Sequence, residues 1–379
     1  MFAFWLASKI DFHYLNFSDT FTSITFKVSS MEFSIQLSAD YPDKSYGGDQ
    51  VYGDMLNQAI LADRLGFDAV SITEHHLINC LMMPAPLQFA VKIAAHTERV
   101  SILTSIVVLP LHDMRIYAGE VVVADIFTNG RLMLGVGRGA FAYEMERLGI
   151  PMNETQSKFN ESLAVLQALL SEEEVSWDGE YYKFDPLTIM PRPVNPGGPQ
   201  MMMAVMNPEG IYHCTKRGFH IQTTPLSGNH QMLMDQVNGF SRAKEEMGEA
   251  GNGLTLSVSR VGFATKNDTD RKKKIEAANR YYSRFDNVFT GPGIVDKGMV
   301  RELPRKQTIE ELGDSLLIGT PQEIIDKLEP YAKLGIDRVI INVNFGCDAQ
   351  ETLDGIQLFA EEIMPYFSIH CREVKSAAG

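Results

Sequence analysis

Phe67-Asp68-Ala69-Val70-Ser71-Ile72-Thr73-Glu74-His75-His76 is an apolar run that ends abruptly in one carboxylate and two imidazoles. Alternation of apolar and small residues over 67–73 predicts a strand. Just before it, Met55, Ala59, Ile60, Ala62 and Leu65 form one helical stripe over 52–65, and Gly66 is a suitable helix stop. Upstream again, Phe33-Ser34-Ile35-Gln36-Leu37 reads as another strand. Strand, helix and strand in that order predict a parallel pair joined by a right-handed crossover.

The same beat continues along the chain. Strands are expected at 100–109, 131–136, 201–205, 219–223, 254–264 and 338–343. Helices are expected at 117–127, 158–170, 209–216, 229–247, 322–334 and 352–364. About eight such units in 379 residues favour a closed (β/α)₈ TIM barrel with insertions, of the α/β class, over an open sheet. Two segments break the rhythm, 171–198 and 284–318, both carrying Pro and Gly turn material. Loops of that length in a compact domain are usually functional lids or disordered insertions. With no internal repeat or linker, one domain over 31–370 is expected, followed by a short tail at 371–379.

The first thirty residues stand apart. Phe2-Ala3-Phe4-Trp5-Leu6-Ala7 is apolar, but Lys9 and Asp11 cut it short of a signal peptide or membrane span. Strand patterning begins only after Met31, so 1–30 is read as an N-terminal extension and Met31 as the natural start.

Composition narrows the function. Hydrophobic residues make up 45% and charged residues 22%, the balance of a soluble globular protein. A formal net charge of -14 argues against a nucleic-acid partner, because the phosphate backbone rewards basic faces. No stretch is suited to a membrane. The four cysteines, Cys80, Cys214, Cys347 and Cys371, have neither C-x-x-C nor metal-site spacing. They fit free thiols in a reducing cytoplasm.

Three clusters carry candidate chemistry. Glu74, His75 and His76 follow a strand and so face a barrel mouth, where an imidazole is a base near neutral pH and a carboxylate orients it. The plain alternative for His76 is a packed, hydrogen-bonded side chain. A metal site is the rival functional reading, but adjacent histidines do not readily chelate one ion. Second, Gly135-Val136-Gly137-Arg138-Gly139 lets a ligand approach the backbone and offers a fixed cation for a phosphate. It lacks dinucleotide-motif spacing, and its glycines are equally suited to plain strand packing. Third, Met206-Asn207-Pro208-Glu209-Gly210 reads as a capped helix start, either a plain cap or a phosphate site made of N–H groups. Met202, Met203, Phe141, Met206 and Phe289 suggest an apolar pocket.

Taken in order, Thr73-Glu74-His75-His76-Leu77, Leu109-Pro110, Gly130-Arg131, Gly135-Val136-Gly137-Arg138-Gly139, Gly319-Thr320-Pro321-Gln322-Glu323 and Met364-Pro365-Tyr366 resemble bacterial luciferases and their flavin-dependent relatives. The likeness covers 31–367. It implies a two-component monooxygenase that binds FMN as FMNH₂, activates O₂ as a C4a-peroxyflavin and oxygenates a small hydrophobic substrate such as an aldehyde or ketone. It implies further that His75 is a catalytic base and that Arg138 contacts the FMN phosphate. A non-proline cis peptide at Ser105-Ile106 is implied beneath the ring, and 284–318 is implied to be a mobile lid. Gly137, Met206, Asn207 and Gly210 complete the expected cofactor contacts. No nicotinamide fingerprint is present, so a separate NAD(P)H:flavin reductase is expected to supply FMNH₂, and the resemblance implies a homodimer.

The sequence departs from that family at three points. Gly137 stands where luciferase has a reactive cysteine, so light emission is in doubt. Asn207 replaces a phosphate-binding serine. Gln156 falls near a second phosphate-binding arginine, with Lys158 a possible substitute. Alternatives on the same fold are an F420-dependent oxidoreductase and a non-catalytic flavin-binding subunit.

Overall fold

A computed structural model describes residues 31–41 and 43–368. The proposed extension 1–30 and tail 371–379 lie outside the described residues. Eight parallel strands close on themselves: β1 (Glu32–Leu37), β2 (Ala69–Ile72), β3 (Ser101–Thr104), β4 (Leu132–Gly137), β5 (Gln200–Ala204), β6 (His220–Thr223), β7 (Leu256–Ala264) and β8 (Arg338–Asn342). Each pairs with the next, and β8 pairs with β1 from Glu32↔Arg338 to Gln36↔Asn342, which seals the cylinder. The (β/α)₈ barrel read from the sequence is the observed fold.

The surrounding helices are α1 (Gly48–Leu65), α2 (Pro86–Ala94), α3 (Met114–Phe127), α4 (Ala142–Arg147), α5 (Thr155–Ser171), α6 (Pro208–Lys216), α7 (His230–Met247), α8 (Asp268–Phe289), α9 (Ile309–Ser315), α10 (Pro321–Lys333) and α11 (Ala349–Glu362). Gly66 ends α1 at φ 90°, a left-handed position that suits glycine. Phe33 of β1 meets Phe359 of α11 with ring centroids 5.4 Å apart, and Phe67 lies 6.2 Å away on the same ring. These contacts clamp the sheet to its helical coat.

Strand alternation explains why the site forms at one end. Leu103, Met202 and Ile340 face inward and form a buried plug with Met133. Two residues further along their strands stand Ser105, Ala204 and Asn342, and alongside them Gln36, Gln222 and Ser259, all lining a cavity. Apolar filling thus gives way to polar lining toward the C-terminal ends, where barrels of this kind bind ligands.

Four expectations change. The strand expected at 100–109 breaks after Thr104, resumes at Val107–Val108 and turns into a 3-10 helix at Leu109–Leu111. The break lies at Ser105-Ile106, whose peptide bond is cis. Helix α8 was not foreseen: its hydrophobic stripe is diluted by Arg, Lys and Asp, and it runs through Arg284–Phe289, part of the segment read as a loop. The remainder of 284–318 contains a small hairpin, Val295–Asp296 with Met299–Val300, then α9. Segment 171–198 holds a second hairpin, Val175–Asp178 with Lys183–Leu187.

Glycine at 135 is required by packing rather than by φ. A Cβ there would stand 2.0 Å from the Thr104 carbonyl oxygen, on a strand whose Thr104 hydroxyl donates to the Gly135 carbonyl at 2.8 Å. Gly135→Ala should therefore lower stability by about 1–3 kcal/mol through backbone displacement. Urea unfolding followed by circular dichroism checks this, and an unchanged midpoint would contradict the close approach.

Candidate active site

The cavity over the polar end of the barrel has a volume of about 660 Å³, within the range of about 300–1,000 Å³ usual for small-molecule sites. His75, Glu74, Arg138, Asn207 and Gly210 all line it, as do Ser105, Ile106, Gly137 and Met206. The three clusters that the sequence placed on separate strand exits therefore meet in one space.

The β2 exit divides its chemistry between two carboxylates. Glu74 is buried, and its Oε1 accepts from His76 Nε2 at 2.9 Å and His112 Nε2 at 2.8 Å. Its Oε2 accepts the Val108 amide at 2.6 Å. Burial pushes the Glu74 carboxyl up, but the hydrogen bonds from His112 and His76, the His112 charge and the Val108 amide together hold it below its ordinary 4.5. The bond to Glu74 raises His76 above its ordinary 6.5, against the opposing effect of burial.

His75 is served by Glu144. Its Nδ1 lies 3.1 Å and 3.2 Å from the two carboxylate oxygens, and the His76 backbone N–H donates to Glu144 Oε1 at 3.3 Å. The imidazole stacks on Phe141, with centroids 4.3 Å apart and planes 27° from parallel. Here the sequence reading is corrected: Glu74 does not orient His75, and the His76 ring turns away from the cavity to Glu74. Adjacent residues on an extended chain point to opposite sides, so one carboxylate could not hold both rings.

At the other pole Arg138 is exposed, and its Nη1 donates to Thr155 Oγ1 at 2.9 Å at the start of α5. Asn207 caps α6, its Oδ1 accepting the Gly210 N–H at 3.1 Å. That cap occupies one of the amides the sequence reading left for a phosphate. Gln156 lines the cavity, and Lys158, two residues on, does not. Gly137 keeps space for Ile106: a Cβ at 137 would stand 2.2 Å from Ile106 Cδ1. Of the expected apolar wall, Met203, Phe141, Met206 and Phe289 line the cavity, whereas Met202 belongs to the plug beneath.

Between the poles stand neutral polar groups, and the buried Arg260, which donates to the Leu226 and Gly228 carbonyls, also lines the cavity. The Ser259 hydroxyl donates to Gln36 Oε1 at 2.9 Å, and Gln222 Nε2 donates to the Ser105 hydroxyl. Gln222 Oε1 is buried without a partner, an acceptor left over for something in the cavity. A flavin fits this donor set. Its ring edge offers both donors and acceptors to neutral amides and hydroxyls, and its phosphate suits an arginine beside helix starts.

Glu144, His112, Thr155 and Gln222 were not singled out from the sequence. Glu144 left one usable sign, an acidic residue a few positions past the Gly139 exit at the head of a short helix. The others are ordinary polar residues whose role comes from tertiary placement.

The sequence profile of luciferase-like monooxygenases matches residues 31–338. The oxygenase component of the flavin-dependent trigonelline monooxygenase of Acinetobacter baylyi is 25% identical over 348 residues, covering 89% of this chain and 96% of that protein. An F420-dependent glucose-6-phosphate dehydrogenase of Nakamurella multipartita is 26% identical, covering 82% of this chain and 91% of that protein. Among solved structures, the monooxygenase RslO1 of Streptomyces bottropensis superposes with a TM-score of 0.77 at 24% identity, covering 89% of this chain and all of the other. The oxygenating constituent of the 3,6-diketocamphane monooxygenase of Pseudomonas putida, in complex with FMN, gives 0.72 at 18% identity, covering 89% and 99%.

The carboxylate of Glu74 makes a pH prediction. Its folded value is lowered, so its contribution is full above 4.5 and disappears as pH falls through the lowered value. The His76 value is raised, so that contribution is full below 6.5 and disappears as pH rises through the raised value. The stability advantage of wild type over Glu74→Gln should therefore be widest between 4.5 and 6.5. Thermal melts across pH check it, and a pH-independent difference would refute the assignment. Family membership follows from the matched profile and the barrel together: this chain belongs to the luciferase-like monooxygenases.

Proposed function

We propose that this protein is the oxygenase component of a two-component, FMNH₂-dependent monooxygenase. The observation that carries the reading is one cavity lined by His75, by Arg138 and the α6 start, and by neutral polar side chains that include an unpartnered Gln222 oxygen. Reduced FMN, when bound, supplies the electrons that activate O₂. The chain's own groups do the rest. Arg138 and the α6 start hold a phosphate, and the Gln36, Gln222 and Ser259 side chains hold a ring edge. His75 takes or returns a proton at the open face, and Phe141, Phe285 and Phe289 keep water from that face.

A separate NAD(P)H:flavin reductase supplies FMNH₂, because nothing in the sequence resembles a nicotinamide site. The substrate is a small hydrophobic molecule, and aldehydes and ketones are the compounds to screen first, with the zwitterion trigonelline as the polar comparison. Segment 284–318 serves as the lid. It is tied to the rest of the barrel by Arg284, which bonds Asp40 at 2.7 Å, and by Arg305, whose Nη2 donates to Ser227 Oγ at 2.9 Å. A homodimer forms through α3, which leaves Ile116 66% and Phe127 62% exposed. The double substitution Ile116→Glu with Phe127→Glu should give monomers by light scattering, and dimers that persist would exclude this face.

The decisive experiment mixes the protein with FMN, NAD(P)H, a flavin reductase and the screened compounds, and records O₂ consumption against peroxide release. Arg138→Ala should weaken FMNH₂ binding by about 10–100-fold, the value of a charge-assisted contact. His75→Ala should cut coupled oxygenation by about 10²–10⁴-fold while FMNH₂ still binds. Binding and turnover of F420 in place of FMN would move the assignment to the F420-dependent branch.

A further inference from the structure

We infer that Glu144 is a positioning residue that sets the tautomer of His75, so that the two act as a carboxylate–imidazole dyad. The inference deepens the monooxygenase reading, and it stands on geometry alone. Both oxygens of Glu144 lie within 3.2 Å of His75 Nδ1. A carboxylate only accepts, so the nitrogen facing it carries the hydrogen. The Nδ1–H therefore donates to Glu144, and Nε2 is left as the bare, basic nitrogen.

Three features keep this arrangement from relaxing. Glu144 is 4% exposed, so water does not compete for its oxygens. The backbone N–H of His76 donates to Glu144 Oε1 at 3.3 Å, which ties the carboxylate to the chain that carries the imidazole. Phe141, one helical turn earlier, stacks on the ring and fixes its plane. Both Phe141 and Glu144 come from the start of α4, so a single short helix supplies the ring's orientation and its proton location. Glu74 cannot substitute, since its oxygens are taken by His76, His112 and Val108.

The division of labour is then chemical. When Nε2 accepts a proton from a group in the cavity, a cation forms on the imidazole. Glu144 holds that charge across the Nδ1–H bond, and it does not itself take the proton. Removing the carboxylate leaves the ring free to carry its hydrogen on Nε2, which turns the base into a donor.

The test reads the tautomer directly, on flavin-free protein. Nitrogen-15 spectra of histidine-labelled protein are recorded at alkaline pH, where free imidazoles are neutral, and the His75 signals are assigned by their loss in His75→Gln. Wild type should show a protonated Nδ1 and a bare Nε2. Glu144→Leu should move the hydrogen wholly or partly to Nε2 and lower coupled oxygenation by about 10²-fold, with FMNH₂ affinity within threefold. Glu144→Gln keeps an acceptor oxygen but no charge, so it should retain the wild-type tautomer and lose about tenfold in turnover. It also serves as the test variant if Glu144→Leu does not fold. A hydrogen on Nε2 in wild type overturns the inference, as does a Glu144→Leu protein with unchanged tautomer and turnover. If the tautomer switches as expected while no variant, wild type included, oxygenates anything, the dyad stands and the monooxygenase reading falls.

Discussion

A carboxylate with no access to water must find its partners in the protein, and Glu74 is the point on which the site's geometry depends. Its side chain is closed off from solvent, and its two oxygens take two imidazole donors and one backbone amide. Those donors come from three places: the β2 exit itself, the segment just past the Ser105-Ile106 peptide, and the turn before α3. An unsatisfied buried carboxylate costs several kcal/mol, so the three segments are held together more firmly than loop contacts alone would hold them. His112 is fixed in turn by Tyr117, whose ring stacks on it at 4.2 Å. The result is a rigid strand-end frame on which His75 and Ile106 are carried.

The cavity sets its charge against the rest of the molecule. The chain is strongly acidic overall, yet the phosphate pole has an exposed arginine and two helix starts, while the groups between the poles include the neutral side chains of Gln36, Gln222 and Ser259. An anionic tail is drawn to one end, where local charge outweighs the distant net charge through screening. The ring end rewards neutral hydrogen bonding instead. Such separation suits a ligand that is polar and flat at one end and ionic at the other.

Much of this was legible before any coordinates. The eight strands, Gly66 as a stop, the Asn207-Pro208 cap and the convergence of His75 with Arg138 all follow from local rules: apolar periodicity, capping chemistry and the position of a strand's C-terminal end. What was missed has a common cause. Helix α8 carries so many charged residues that its buried stripe of Ile275, Ala278, Tyr282 and Phe285 is hard to see in the sequence, although the structure buries all four. The 100–109 run reads as one continuous strand because no local pattern at Ser105-Ile106 marks a break; only the family resemblance pointed to the cis peptide there. Glu144 is separated from His75 by 69 positions, and its pairing is a property of the closed barrel. Local pattern gives direction along a strand; it does not say which of several acidic residues will meet a given imidazole.

That last point bears on why two neighbouring histidines and two carboxylates occur at one strand exit. His75 and His76 face opposite ways, so a single carboxylate serves one of them. With Glu74 turned inward to the frame, the open-facing ring needs a carboxylate from elsewhere, and α4, following the Gly137–Gly139 exit of β4, is the element that passes over it. Gly137 lets Ile106 settle against the strand, and Gly139, at φ 81°, turns the chain so that Phe141 and Glu144 reach the ring together. The glycine-rich exit thus serves two ends of one site. It presents Arg138 at the phosphate pole, and it swings the next helix back over His75. A change in that turn would disturb both poles at once, which couples the grip on a ligand's tail to the orientation of the base beside its ring.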